Sequence, residues 1–268
     1  MSLRTLIARA FALSIGLAAP AAHAGALKPT PEAVKSAGDR FDFEAWDALL
    51  KKYVDDKGRV DYARLKSTAD DTQALDKLYA QVAAQKVDAL GGTGAKKAFF
   101  INAYNICVWV NVLSRLPGMK DLDGKLKQYS FFYTTDFIVA GKSINLKKLE
   151  DDEVRERFKD PRVHMALNCA SGGCPQLPNE AFSPAKIDAQ LDREARKFSN
   201  ETRNVAYDAA SKTVKLSHIF DWYDKDFPDK KPLLWINRLR APDQQIPADA
   251  KVTFVDYDWR LNDRSLPR

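Results

Sequence analysis

The sequence predicts a single α+β domain, mostly helical, with a small antiparallel sheet and a buried central helix. Three observations predict it. Between Lys97 and Leu116 apolar residues (Phe99, Phe100, Ile101, Tyr104, Ile106, Val108) occupy every face of a helical projection, the signature of a helix enclosed by protein. Short β-prone runs flank turn signals, as in Phe137-Ile138-Val139, Ala140-Gly141-Lys142 and Ser143-Ile144-Asn145-Leu146. The chain shows no internal repeat and no interior linker.

Taken in order, the first 24 residues read as an export signal. Arg4 and Arg9 precede an apolar run from Ala10 to Ala19, too short to span a bilayer, and Ala22-His23-Ala24 supplies the small-x-small cleavage pattern. Cleavage is expected after Ala24, giving a periplasmic or secreted protein with no stable membrane span. Residues 25–40, rich in Pro, Ala and Lys, read as a flexible arm, and 41–268 as the domain itself. Phe43, Trp46, Leu49, Leu50 and Tyr53 recur at helical spacing until Asp55-Asp56-Lys57-Gly58 stops them. Val60-Asp61-Tyr62 reads as extended and Thr72 to Ala84 as a second amphipathic helix.

Beyond the central helix, Phe131-Phe132-Tyr133 reads as β-prone. Leu146 to Phe158 reads as a charged helix with Leu149 and Val154 inward. Ser183 to Phe198 is a further helix, with Ser183 as cap, Pro184 at its first position, and Ile187, Leu191 and Ala195 on one face. A hairpin joins Asn204–Tyr207 to Thr213–Leu216. Short helices at Ser217–Tyr223 and Leu233–Leu239 follow, and the alternating Lys251–Tyr257 closes the chain as a strand.

Composition narrows the function. The net charge of +6 is scattered among acidic residues rather than clustered, so no nucleic-acid partner is expected; the expected partner is an envelope ligand or protein. There is no glycine-rich phosphate loop and no Gly-x-Ser-x-Gly elbow, and no cofactor is expected. Chemistry concentrates in Asp160-Pro161-Arg162-Val163-His164 through Asn168-Cys169-Ala170-Ser171-Gly172-Gly173-Cys174-Pro175, which holds two of the three cysteines. Cys107, in Ile106-Cys107-Val108-Trp109, reads as a buried inert thiol.

Several segments together resemble the family called domain of unknown function 547, found in secreted bacterial proteins and in some plant proteins. They are Gly58-Arg59-Val60-Asp61-Tyr62, Ala98-Phe99-Phe100-Ile101-Asn102-Ala103-Tyr104-Asn105, the His164–Pro175 stretch, Ile219-Phe220-Asp221-Trp222-Tyr223 with Asp226-Phe227, and Asp256-Tyr257-Asp258-Trp259. The resemblance runs from about Trp46 to Asn262 and implies a domain, not a reaction. The chain departs from the family pattern at Phe100, where Trp is usual, and at Asp151, where His often follows the position of Glu150.

The residues themselves leave three readings. Cys169 as a nucleophile with His164 as base, and Asn168 or Asn102 as orienting or oxyanion amides, makes a thiol hydrolase or transferase. Asn105, Tyr104, Arg162 and Ser171 would then bind substrate, while His218 with Asp221 is a weaker substitute pair. Alternatively, Cys169 and Cys174, with four residues between them in a Gly-containing loop, form a disulfide that is structural or redox-switching, in a non-catalytic binding or scaffold domain. A zinc site on His164, Cys169 and Cys174 fits no standard module, and no metal is expected. Trp222, Tyr223, Asp226 and Phe227 read as core, with a ligand groove as the alternative. The cysteine-dependent enzyme leads, with the binding domain as its rival.

Overall fold

The computed structural model describes residues 27–38 and 40–266; the export signal read at 1–24 lies outside them. Helix α1 (Pro31–Ser36) starts at a proline and is capped by Thr30, whose hydroxyl accepts from the Ala33 amide. Within the arm read at 25–40, residues 31–36 thus form a capped helix. Leu27 bridges to Phe137, and Thr30 bonds Asp76. Pro and Ala lower the apparent order of such a segment in sequence, but docking supplies the partners that its backbone needs.

Helices α2 (Phe43–Tyr53), α3 (Tyr62–Ser67) and α4 (Ala69–Ala84) surround the long α5 (Thr93–Arg115). Every residue from 98 to 109 is buried, so the central helix is enclosed as the sequence predicts. Trp46 of α2 meets Trp109 of α5 edge-on at 4.8 Å, one of the large aromatic contacts of the main core. The extended piece at 60–62 shrinks to Val60, which bridges Val54 and Asp263. Asp61 caps α3 instead, accepting from the Arg64 amide.

Phe131 and Phe132 end a helix, α6 (Lys125–Phe132), rather than forming a strand. The buried Phe131 ring and the Asn111 amide on its carbonyl override its β preference. Strands β1 (Asp136–Val139) and β2 (Lys142–Asn145) pair as the antiparallel hairpin expected. The charged helix, α7, is made of Leu146–Lys148, a π-helical stretch Leu149–Arg155 and Glu156–Phe158. Its wide turn is visible where the Glu156 amide reaches the Asp151 carbonyl.

Helix α8 (Ile187–Asn200) begins one turn later than the Ser183-Pro184 signal suggests; the Ser183 amide donates to Gln190 Oε1. β3 (Val205–Asp208) and β4 (Thr213–Leu216) are antiparallel, and β5 (Lys251–Phe254) adds to β4 in parallel, so this sheet is mixed. Short helices α9 (Ile219–Trp222) and α10 (Pro232–Arg238) complete the set. β5 ends before Tyr257 because the following segment leaves the sheet to pair with the cysteine loop.

Two large apolar clusters result, one around α5 and one on the three-stranded sheet. α8 joins them, giving Ile187 and Leu191 to the first and Ala195 and Phe198 to the second. Together they form one α+β domain, and the candidate site opens where they meet. Among the described residues no helix is long and apolar enough to cross a membrane.

Candidate functional site

The cysteine loop is built by the backbone on both sides of it. Asp160 caps the 3-10 turn Pro161–Met165 by accepting from the Arg162 amide. Ala170 takes a left-handed conformation (φ 63°), which turns the chain back toward itself. Gly172 and Gly173 then donate to the carbonyls of Arg260 and Asp258 at 2.8 and 2.7 Å. A Cβ on Gly172 would sit 2.4 Å from Asp258, and one on Gly173 2.9 Å from the Tyr257 ring. Two glycines are needed here because the closing segment passes directly over them.

Inside this turn Cys169 and Cys174 form a disulfide, with Cα atoms 6.1 Å apart. Cys169 is consequently not a resting nucleophile, and neither sulfur is free to ligate zinc. Among the described residues no cluster of three or more metal-ligating side chains occurs. Ser171 Oγ lies 3.3 and 3.2 Å from the two sulfurs and 3.4 Å from the Tyr257 hydroxyl. Cys107 is fully buried, and burial pushes its thiol pKa far up.

The amides assigned to catalysis hold the loop in place. Asn102 brackets Phe182, donating to its carbonyl at 2.7 Å and accepting from its amide at 3.2 Å. Asn105 donates to the Ala166 carbonyl and accepts from the Asn168 amide. Asn168 donates to the Pro175 carbonyl and accepts from the Ala170 amide and Asn262. These hydrogen bonds tie α5 to the loop, leaving the amides positioned as struts rather than as oxyanion donors. Arg162, expected at a substrate, instead clamps Asp160, Asp188 and Asp192.

A cavity of about 330 Å³ lies beside the disulfide. Tyr104, the disulfide and His164 line it from the first core, and Trp222, Tyr223 and Tyr257 from the sheet side. Trp259 stacks on Trp222 at 5.7 Å and crosses Tyr257 at 4.5 Å, continuing the aromatic wall. Of the four residues expected to bind substrate, only Tyr104 reaches this cavity; Asn105, Arg162 and Ser171 are engaged elsewhere.

His164 is tied down by Asp226, which the sequence marked as core or groove but not as its partner. Its Nε2 lies 2.7 Å from Asp226 Oδ2, and its ring packs 4.2 Å from Tyr223. No hydrogen bond joins His164 to either cysteine among the described contacts. Arg155 grips the same Asp226 carboxylate through Nε at 2.6 Å and a second nitrogen at 3.0 Å. Burial opposes ionisation of Asp226, but the hydrogen bonds from His164 and Arg155 outweigh it and hold its pKa well below the usual range. His218 stacks between Trp222 and Phe254, 3.5 Å from Asp221, away from the cavity.

Glu150, on the π-helical part of α7, also lines the cavity and is only 7 % exposed. Burial raises the pKa of Tyr104 and of Tyr223 well above the ordinary value, and the negative charge of Glu150 raises each further. The sequence signal for the sheet-side wall was present in Trp222-Tyr223, where a groove was the less favoured reading. For Glu150 the only signal was its place in the family pattern.

Fold and site thus define an α+β domain with a disulfide-walled aromatic cavity. Residues 89–198 match the family described as protein of unknown function, DUF547. The matched stretch includes α5, the π-helical turn and the cysteine loop; Trp222, Tyr223, Asp226 and Tyr257 lie beyond it. Comparison with curated proteins and with solved structures gives no match.

Proposed function

We propose that this is an exported ligand-binding domain whose cavity receives a small, flat-faced molecule from the envelope. The observation that carries this reading is the aromatic cavity beside a closed disulfide. Trp222, Tyr257 and Trp259 offer ring faces, while the candidate nucleophile is bonded and the candidate catalytic amides are saturated. A volume of about 330 Å³ lies at the lower end of small-molecule pockets. The disulfide then fixes one wall, because it holds the turn on which Tyr257 rests. Titration of the oxidised protein with benzyl alcohol, followed by tryptophan fluorescence and NMR shifts, tests the reading. Saturable binding weakened by Trp222→Ala supports it; no saturable binding contradicts it.

One observation favours a second reading. His164, already oriented by Asp226, and Cys169 line the same cavity, which are the parts of a thiol hydrolase or transferase once the disulfide is opened. Opening requires two electrons from a dithiol reductant, which becomes a disulfide as Cys169 and Cys174 become thiols. Fast iodoacetamide alkylation of Cys169 in the reduced, folded protein, slowed by His164→Ala, is the result this reading expects.

A further inference from the structure

Glu150 stands out once the charges around the cavity are paired. Lys147 also lines the cavity, but its ammonium is 2.6 Å from Asp151. His164 is committed to Asp226, and Arg155 to Asp226 and Asp151. Among the described residues Glu150, only 7 % exposed, makes no ion pair, and it shares the cavity lining with Tyr104, Tyr133, Tyr223 and Tyr257. A carboxylate removed from water without a cation is costly to the fold, so its retention in a cavity wall calls for a counter-charge from outside.

We propose that the cavity binds an organic cation, with an amine or ammonium group held between the Glu150 carboxylate and the surrounding aromatic faces. This rests on the ligand-binding reading above and names the class of ligand. Three further observations support it. Tyr104, Tyr133, Tyr223 and Tyr257 all have raised pKa values, through burial first, and Glu150 adds to each shift. The rings of Trp222, Trp259 and Tyr257 line the same cavity, and aromatic rings of this kind attract a cation. Finally, Glu150 sits on a π-helical turn, a backbone form that tends to occur at functional sites.

A metal ion is the poorer occupant, since the described residues gather no set of three ligating side chains. Tyr223 contributes less to cation binding than the tryptophans do. Its ring already carries the Arg155 guanidinium at 4.7 Å and the Lys147 ammonium at 5.6 Å.

Calorimetric titration of the oxidised full chain at pH 7 with benzylammonium and with benzyl alcohol tests the proposal, because the two probes differ in charge and hardly in shape. The expected result is at least tenfold tighter binding of benzylammonium, with the preference abolished by Glu150→Gln and reduced by added salt. Equal affinity for the two probes would overturn the cation assignment and leave the ligand-binding reading standing. Binding of neither probe would overturn both. A tenfold preference that survives in a folded Glu150→Gln protein would also overturn the assignment to Glu150. Should that variant not fold, the probe pair on the unaltered protein still decides.

Discussion

His164 and Asp226 are 62 residues apart in sequence, yet Nε2 and Oδ2 meet at 2.7 Å. An ionised carboxylate only accepts, so Nε2 carries the proton and the ring's orientation is set from the acid side. Arg155 closes the same carboxylate from α7, so one acid joins the cysteine loop, the π-helical turn and the sheet-side segment. Asp226→Asn leaves Arg155 without its counter-charge and is expected to cost about 2 kcal/mol, the range for a hydrogen bond to a charged group. Urea unfolding measures this, and an unchanged midpoint would remove Asp226 from the framework.

Acid should loosen the same framework. Asp160 is partly buried, which opposes ionisation, but hydrogen bonds from Arg162 and Lys97 lower its pKa to about 2. The unfolded value is about 3.9, so the folded state binds its proton less readily. Its contribution is complete above about pH 4 and is lost as pH falls toward about 2, amounting to about 2 kcal/mol. Asp226, also lowered, loses stability in the same direction. Unfolding midpoints measured from pH 6 to pH 2 should fall steeply below pH 4, and Asp160→Asn should flatten that slope.

Reducing the disulfide should weaken the domain only modestly. A loop closed across five residues of sequence contributes about 2 kcal/mol through the unfolded state. The larger effect is expected on the cavity, since Tyr257 Oη lies 3.5 and 3.4 Å from the two sulfurs. Benzyl alcohol affinity should drop on reduction by more than the change in unfolding free energy alone implies. Equal affinity in both redox states would mean that the bridge does not shape the wall.

Gly173→Ala provides a local check on the same wall. The added methyl meets three ring carbons of Tyr257 at 2.9 Å, and an overpacked contact of this kind costs about 1–3 kcal/mol. Gly38→Ala, where no atom lies within 4 Å, tests a glycine with open space around it but carries backbone strain at φ +74°. Only the Gly173 variant should shift the NMR signals of Tyr257 and lower probe affinity.

Much of the fold is legible in the sequence because burial leaves a periodic trace. The all-round apolar run of α5 and the 137–145 hairpin are where the pattern places them. Phe131-Phe132 misleads because aromatic β preference is weak beside a buried ring and an Asn111 bond from α5. The Ser183-Pro184 signal misleads in register, as an intervening turn places the helix start at Ile187.

The candidate site is legible in part. Cys169, His164 and Tyr104 do share a cavity, and the disulfide alternative is the state observed. Asn102, Asn105 and Asn168 carry the same local pattern whether they meet a ligand or a backbone group, and only the fold shows that they meet Phe182, Ala166 and Pro175. The sequence marks Asp226 only as core or groove and Glu150 only through the family pattern, because each pairs, or fails to pair, across elements distant in sequence. The charge run Asp151-Asp152-Glu153 reads as a solvated face, and nothing local reveals that a π-helical turn buries Glu153 within it and Glu150 beside it.

The most direct test of the central claim, that Cys169 forms a cavity wall rather than a resting nucleophile, is alkylation mapping of the native, unreduced protein by peptide mass spectrometry. The account predicts a linked Cys169–Cys174 peptide and no labelled cysteine until the protein is unfolded, when Cys107 alone is modified. A Cys169 that alkylates rapidly in the folded, unreduced protein would contradict it and return the site to thiol chemistry.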